Sequence, residues 1–428
     1  MRRLLFLSIL AYALLILGLA TMNSGVIVLT VLFVVYLIAA LLYSPALPQL
    51  TATRAVSTAN VLPHAPVTVT LTVTNHGDAI EELMIEDMLP PGLTITDGQH
   101  RVRAPLPAGS SLELTYTAEG TRGDFRFRTV RVTVSDVLGL FRRSGQVDAP
   151  GHVLVMPEPL QLQHITIRPL RTRGYAGPIP ARIGGSGVDF FGVREYRMGD
   201  PMRWINWRTS ARHPRAIFTN EFEQERIADV AIILDARQQT DVVMGGDSLF
   251  EYSVRATAAL AEAFLSDGNR VGLLVYGRGL ETTHPGYGKV QRERIMRALA
   301  YARTGSSLVF DSLDYLPARA FPAQSQIVFV SPLRAEDVRV LVRLRAHGYQ
   351  VLVVSPDPVT FEAKHLEASP TIDLAMRITR LERLMVLRKL RRVGIQVVDW
   401  QVKQSFDKLM RASLVRPPNP SRIVRIAR

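Results

Sequence analysis

The sequence predicts a multidomain chain: an N-terminal transmembrane helical hairpin, a β-sandwich, and a doubly wound α/β domain on a parallel sheet. Three observations carry this expectation. Two uncharged apolar runs open the chain, at residues 4–20 and 26–43. Period-2 alternation follows in residues 67–74, Val-Thr-Val-Thr-Leu-Thr-Val-Thr. From residue 229 onward, continuous apolar strands alternate with helical patterns. The expected boundaries are 1–44 for the hairpin, 45–155 for the β-sandwich, 156–228 for a linker and polar cassette, 229–414 for the α/β domain and 415–428 for a basic tail.

Each apolar run is long enough, with slight tilt or local thinning, to cross a hydrocarbon core of roughly 30 Å at about 1.5 Å per residue. The intervening Thr21-Met-Asn-Ser-Gly25 is short, polar and turn-forming. A signal peptide cleaved after Ala20 fits less well, because a second apolar run follows. A buried helical pair in a soluble core is the other alternative. Arg2 and Arg3 precede the first run and the loop has no basic residue. The positive-inside rule then makes the chain a multi-pass inner-membrane protein, embedded through residues 4–43, with residues 44–428 in the cytoplasm. The net charge of +13 suits an anionic leaflet, which attracts each nearby Lys or Arg by roughly 1 kcal/mol. Nucleic acid is the other standard partner of a basic chain. The sequence has no cysteine, which excludes disulfides, thiolate nucleophiles and Cys-ligated zinc.

After a proline-marked exit (Pro45, Pro48, Pro63, Pro66), further strand-like runs come at 83–86, 93–96, 111–116, 125–127 and 130–135. Short strands separated by Pro-Gly and Gly-Asp turns read as a β-sandwich. Residues 156–185 are rich in Pro and Gly and read as a linker. In the α/β part, strands are expected at 229–235, 270–277, 326–331, 349–355 and 395–400. Helices are expected at 250–266, 290–303, 335–347, 374–393 and 402–414. Continuously apolar strands imply a parallel sheet covered on both faces. Ligands bind such sheets beyond the carboxyl ends of the strands, where Asp235, Gly277 and Ser331 fall. No Gly-rich phosphate loop follows the first strand, so no nucleotide cofactor of the Rossmann or P-loop kind is expected.

The densest polar segment precedes that sheet: Asp189-Phe-Phe-Gly-Val-Arg-Glu-Tyr196 and Gly199-Asp-Pro-Met-Arg203-Trp-Ile-Asn-Trp207-Arg-Thr-Ser-Ala-Arg212. Gly199-Asp-Pro201 reads as a tight turn. Trp204 and Trp207 are three apart and are expected on one helical face. Arg203 is expected to pair with Asp200, leaving Arg194, Arg208 and Arg212 for carboxylates or phosphates. The cassette reads either as an ion-pair network pinning this segment or as a docking surface rich in Trp and Arg, the residue types that dominate interface hot spots. The interaction residues are then Arg194, Glu195, Asp200, Arg203, Trp204, Trp207, Arg208 and Arg212. Nine scattered His residues form no catalytic spacing, and Glu221 with Glu223 is more simply neutralised by nearby arginines than catalytic. No enzyme activity is expected. The helix at 374–393 is strongly basic, with Leu381, Leu384, Val386 and Leu387 as its apolar side. Nucleic acid is disfavoured there because no aromatic platform interleaves the charge.

Gly187, Phe190, Arg194, Glu195, Tyr196, Gly199, Asp200, Arg203, Ile205, Trp207, Ser210, Ala211 and Arg212, followed by a strand ending in Asp235, resemble a family of von Willebrand factor A-like membrane proteins. The family is catalogued as domain of unknown function fifty-eight, and the resemblance covers roughly residues 120–411. It commonly has Asp where this chain has Asn206. The resemblance implies that the α/β part is a von Willebrand A-like, Rossmann-like domain. It also implies work with a MoxR-type AAA+ ATPase as an adaptor or assembly factor. That fold usually binds Mg²⁺ through Asp-x-Ser-x-Ser, hard oxygen ligands for a hard cation. Here the run is Asp235-Ala-Arg-Gln-Gln239, and Ser331-Pro-Leu333 lacks the acidic residue often found after the later strand. The metal site is therefore expected to be degenerate, with Asp235 paired to Arg237 or another arginine. Two other readings stand beside the adaptor: a basic nucleic-acid- or lipid-binding membrane protein, and a metal-dependent hydrolase using Asp235.

Overall fold

The computed structural model describes residues 2–42, 48–135, 142–162, 179–213, 215–226, 228–317, 321–323, 325–363, 365–367 and 369–414. The expected basic tail at 415–428 and the centre of the expected linker lie outside these. The chain forms two compact units, Met1–Met156 and Pro157–Arg428.

The first unit opens with a helical pair, Arg2–Thr21 and Ser24–Leu42, packed against each other. Among the described residues no helix is long and apolar enough to cross a membrane. Phe6, Ile9, Tyr12, Leu19, Val28 and Leu32 of the pair are nevertheless exposed, an apolar surface far beyond scattered surface hydrophobes. Two sheets follow. The four-stranded antiparallel sheet runs Leu50–Val56, Val67–Asn75, Ser111–Gly120, Leu93–Gly98. The five-stranded sheet runs Asn60–Val61, Arg142–Val155, Gly123–Ser135, Ile80–Asp87, Arg101–Leu106. In Val67–Asn75 every valine and Leu71 is buried while the threonines face outward, as a period-2 strand with one buried face requires. Leu71 and Val73 of one sheet share a core with Leu83, Ile85, Val130 and Val132 of the other. A buried polar link joins the sheets as well. Arg54 pairs with Asp87, which also accepts a 2.7 Å hydrogen bond from the Tyr116 hydroxyl. Burial and the Asp87 charge push the Tyr116 phenol up.

The second unit carries a six-stranded sheet in the order Leu280–Gly286, Arg270–Tyr276, Asp229–Asp235, Gln326–Val330, Gln350–Pro356, Gln396–Trp400. Five strands are parallel, within a residue or so of the sequence expectation. The sixth, Leu280–Gly286, was not expected and pairs antiparallel at the edge. Ala231 and Ile233 share a core with Val340, Leu341 and Leu344 of helix Asp337–Ala346 and Leu387 and Leu390 of helix Pro370–Arg392. Ile232 and Leu234 alternate to the opposite face, where helix Leu249–Ser266 packs. The sheet is thus covered on both sides. Helix Pro370–Arg392 begins four residues before its apolar pattern. Ser369 caps it, accepting from the Ile372 N–H at 3.2 Å, and Pro370 supplies the pre-set first φ.

Before this sheet, Ile179–Glu195 and Phe218–Arg226 form an antiparallel ribbon. Its first strand starts within the stretch read from Pro and Gly as linker. Residues 196–217 close the ribbon.

Candidate interaction site and the carboxyl edge of the sheet

The cassette is the closure of that ribbon. Glu195 is opposite Phe218 and Arg194 opposite Thr219, so residues 196–217 leave and return at one end. Gly199 makes the first reversal possible with φ of 104°, a value that a side chain resists. The turn is closed by Asp200, whose carboxylate accepts from the Arg197 N–H at 2.8 Å. Arg194 grips the same carboxylate with two bonds of 2.8 Å and reaches Glu221 at 3.3 Å. These hydrogen bonds from Arg194 hold the Asp200 carboxyl below its ordinary value and raise the Arg194 guanidinium.

Two sequence expectations are corrected here. Arg203 does not pair with Asp200, because Arg194 already fills that carboxylate with a bidentate fork. Arg203 instead lies over the Trp204 ring, 6.0 Å from its centroid. Trp204 and Trp207 do not share a helix. Trp204 ends the 3-10 turn Met202–Trp204, and Trp207 begins the short helix Trp207–Ser210. The break is Ile205, which bridges to Thr219 of the ribbon in extended conformation.

Asn206 turns the chain into that helix. Its side-chain oxygen caps it, accepting from the Thr209 N–H at 3.0 Å, and its amide donates to Asn220 at 2.8 Å. An aspartate here would keep the cap and lose the donor. Asn206→Ala should therefore cost about 1 kcal/mol, while Asn206→Asp keeps most of it; amide exchange at Thr209 distinguishes the two. Ser210 completes the frame, its hydroxyl accepting from the Phe218 N–H at 2.9 Å.

With this frame in place, Glu195, Arg203, Trp207, Arg208 and Arg212 are exposed and Trp204 is half-buried. Trp207 is 69% exposed, Met202 78% and Met198 fully exposed. The methionines and Ile217, also exposed, went unnoticed in the sequence because nothing in local spacing says which apolar side chains a loop leaves uncovered. Glu221 is tied to Arg194; the side chain of Glu223 lies outside the described residues.

The second constellation lies at the carboxyl edge of the sheet. Chain order reverses between Asp229–Asp235 and Gln326–Val330, the strand junction where doubly wound sheets place ligands. Gly277 belongs to this edge: a Cβ on it would lie 2.3 Å from the Ala236 carbonyl oxygen. Asp235 and Arg237 are both buried. Arg237 donates from Nε to Asp235 at 2.9 Å and from Nη2 at 2.8 Å. It reaches Asp337 at 3.0 and 2.9 Å and the Asp311 carbonyl at 3.2 Å. All five guanidinium N–H groups are thereby used. Ser331 donates to Asp235 at 2.6 Å, and the Arg334 N–H donates to Asp337 at 2.8 Å. Burial opposes charge on Arg237, but its bonds to the two aspartates outweigh it and raise its pKa. Burial likewise pushes the Asp337 carboxyl up, with Arg237 pulling against it.

Asp337 was missed in the sequence. It supplies the carboxylate that Ser331-Pro-Leu333 lacks, from the first turn of the next helix. The signal was there: an acid opening the helix that follows a buried parallel strand. These residues do not fit a divalent cation. Both carboxylates are engaged by a guanidinium that already stands between them, and a hard ion needs several free oxygens.

Residues 192–360 match a family model described as "Protein of unknown function DUF58". Over these residues the chain is similar to that family. The matched segment starts inside the ribbon, covers the cassette from residue 192 onward and runs past the Asp235–Arg237–Asp337 cluster. The chain is also 30% identical over 200 residues to uncharacterized protein YeaD of Bacillus subtilis, across 46% of this chain and 48% of that protein. The match thus spans about half the length of that relative. Among solved structures, a FixG-related protein from Vibrio parahaemolyticus is 11% identical over 26% of this chain and 98% of its own, with a TM-score of 0.18. The bacterial hydrophobin BslA is 15% identical over the same shares, with a TM-score of 0.19.

Proposed function

We propose that this chain is a membrane-anchored, non-enzymatic protein-interaction module, an adaptor or assembly factor for a MoxR-type AAA+ ATPase at the cytoplasmic face of the inner membrane. The observation that carries the reading is the cassette. A rigid frame of Arg194, Asp200, Glu221 and Asn206 presents Trp207, Met202 and Met198 to solvent among Arg203, Arg208 and Arg212. Exposed Trp and Met beside unburied arginines are costly to leave uncovered and well suited to a partner. The von Willebrand A-like reading of the second unit is supported by the strand order and by Asp235 at the end of its first strand. Arg237 stands there in place of an ion.

Anchoring is supported by the helical pair. The two helices have 20 and 19 residues. At about 1.5 Å per residue they match a hydrocarbon core of roughly 30 Å. Their exposed Phe, Ile, Leu and Val side chains need an apolar surrounding. Arg2 and Arg3 ahead of the first helix favour a cytoplasmic N-terminus.

The test is gentle solubilisation of membranes containing the full-length chain, with identification of what co-purifies, beside the Arg203→Glu variant. An AAA+ ATPase is expected with the parent and absent with the variant. Its presence at equal yield with both would remove the cassette from the interface, and its absence from both would remove the ATPase.

A further inference from the structure

The helix Pro370–Arg392 carries two apolar faces, and the fold uses one. On the inner face, Leu387 and Leu390 are buried in the sheet's core. Arg383 on the same side reaches the Pro332 and Ser355 carbonyls at 2.8 and 3.1 Å and Asp399 at 2.6 Å. The opposite face holds Leu374, Ile378, Leu381 and Met385, exposed by 58, 50, 62 and 55%. The sequence expectation that placed Leu381 on the core side is reversed.

The spacing of these residues is four, three and four, the alternating d and a positions of a heptad repeat. With Leu374 and Leu381 at d and Ile378 and Met385 at a, Arg377 falls at g and Glu382 at e. In a parallel two-stranded coil, g of one helix faces e of the other five residues on. Arg377 therefore meets Glu382 of a second copy, and symmetry makes the contact twice. Both side chains are exposed, and among the described residues neither has an ion-pair partner. An antiparallel pair would set g against g and e against e, leaving both charges unmatched.

We propose that this helix is a dimerisation element, its Leu374–Ile378–Leu381–Met385 seam closing on a second copy of this chain in a short parallel coiled coil registered by Arg377 and Glu382. Four seam residues are too few to hold an isolated helix pair, where nucleation dominates. Here the helix is already fixed by its cap and its buried face, so pairing need only cover the seam. The contact is small, so the dimer is concentration-dependent and best read by covalent trapping.

The chain has no native cysteine, which makes single-cysteine trapping clean. In the full-length chain, Ile378→Cys and Met385→Cys should give disulfide-linked dimers under mild oxidation, and the neighbouring Arg380→Cys should not. Adding Glu382→Arg to Ile378→Cys should lower the dimer yield several-fold, and Arg377→Glu in the same chain should restore it. Linkage no greater than with Arg380→Cys overturns the proposal. So does linkage found only when Ile378→Cys is mixed with Leu381→Cys, which marks an antiparallel pair. Charge reversal without effect removes the proposed register. All these positions are exposed, so folding does not confound the comparison.

Discussion

Replacing Arg237 by methionine should destabilise the second unit by about 3–5 kcal/mol, the usual cost of breaking a buried ion pair from one side. The loss comes less from the missing attraction than from what remains. Asp235 and Asp337 would stand buried side by side with only Ser331 and two backbone N–H groups to solvate them. Urea unfolding followed by circular dichroism measures it. The sign of the pH dependence follows from Asp337. Burial raises its carboxyl, and removing the guanidinium removes the opposing pull. A raised folded-state value favours the native state at low pH and is lost as pH rises through that value. The variant should thus recover stability as pH falls from neutral toward the carboxylate range. Changing Asp235 and Asp337 to Asn in the same chain should recover most of the loss at neutral pH. A single variant as stable as the parent would mean that the cluster is solvated in a way the burial of Arg237 contradicts. Mg²⁺ or Mn²⁺ should leave the parent's unfolding midpoint unmoved, since the carboxylate oxygens are already engaged.

Trp207→Ala should weaken partner binding by about 2 kcal/mol or more, roughly 30-fold, while leaving unfolding unchanged. Trp207 is mostly exposed, so truncation opens no cavity. The frame behaves in the opposite way. Arg194→Ala frees Asp200 and Glu221 and releases the turn at Gly199, so it should disorder residues 196–213 as well as weaken binding. Titration against the co-purified partner, together with amide exchange across the cassette, separates the two classes. If Trp207→Ala binds normally, the exposed face of the cassette is not the interface. If Arg194→Ala leaves exchange unchanged, its fork on Asp200 does not order the turn.

The parallel strands were legible because burial on both faces writes a continuous apolar run, and Asp229–Asp235 matches its expected bounds. The edge strand Leu280–Gly286 was not, since its alternation is broken by a bulge and by His284 and Pro285. Strands Arg101–Leu106 and Arg142–Val155 carry charged residues on their open faces and were not among the expected strands. In the cassette, the residue types were legible and their pairing was not. Arg203 is nearer to Asp200 in sequence, yet Arg194 reaches it because the ribbon folds the turn back over its own last strand.

The sequence by itself determined the order of the elements, an arginine two residues after Asp235, and the concentration of Trp and Arg ahead of the sheet. Those are local properties, set by periodicity and near neighbours. Only the tertiary structure decided that Asp337 closes on Arg237 across 100 residues of chain, that Arg194 holds Asp200, and that the heptad face of the last long helix is left uncovered. Each depends on which surfaces the sheet brings together. A residue's spacing fixes the face on which it lies, but not what that face meets.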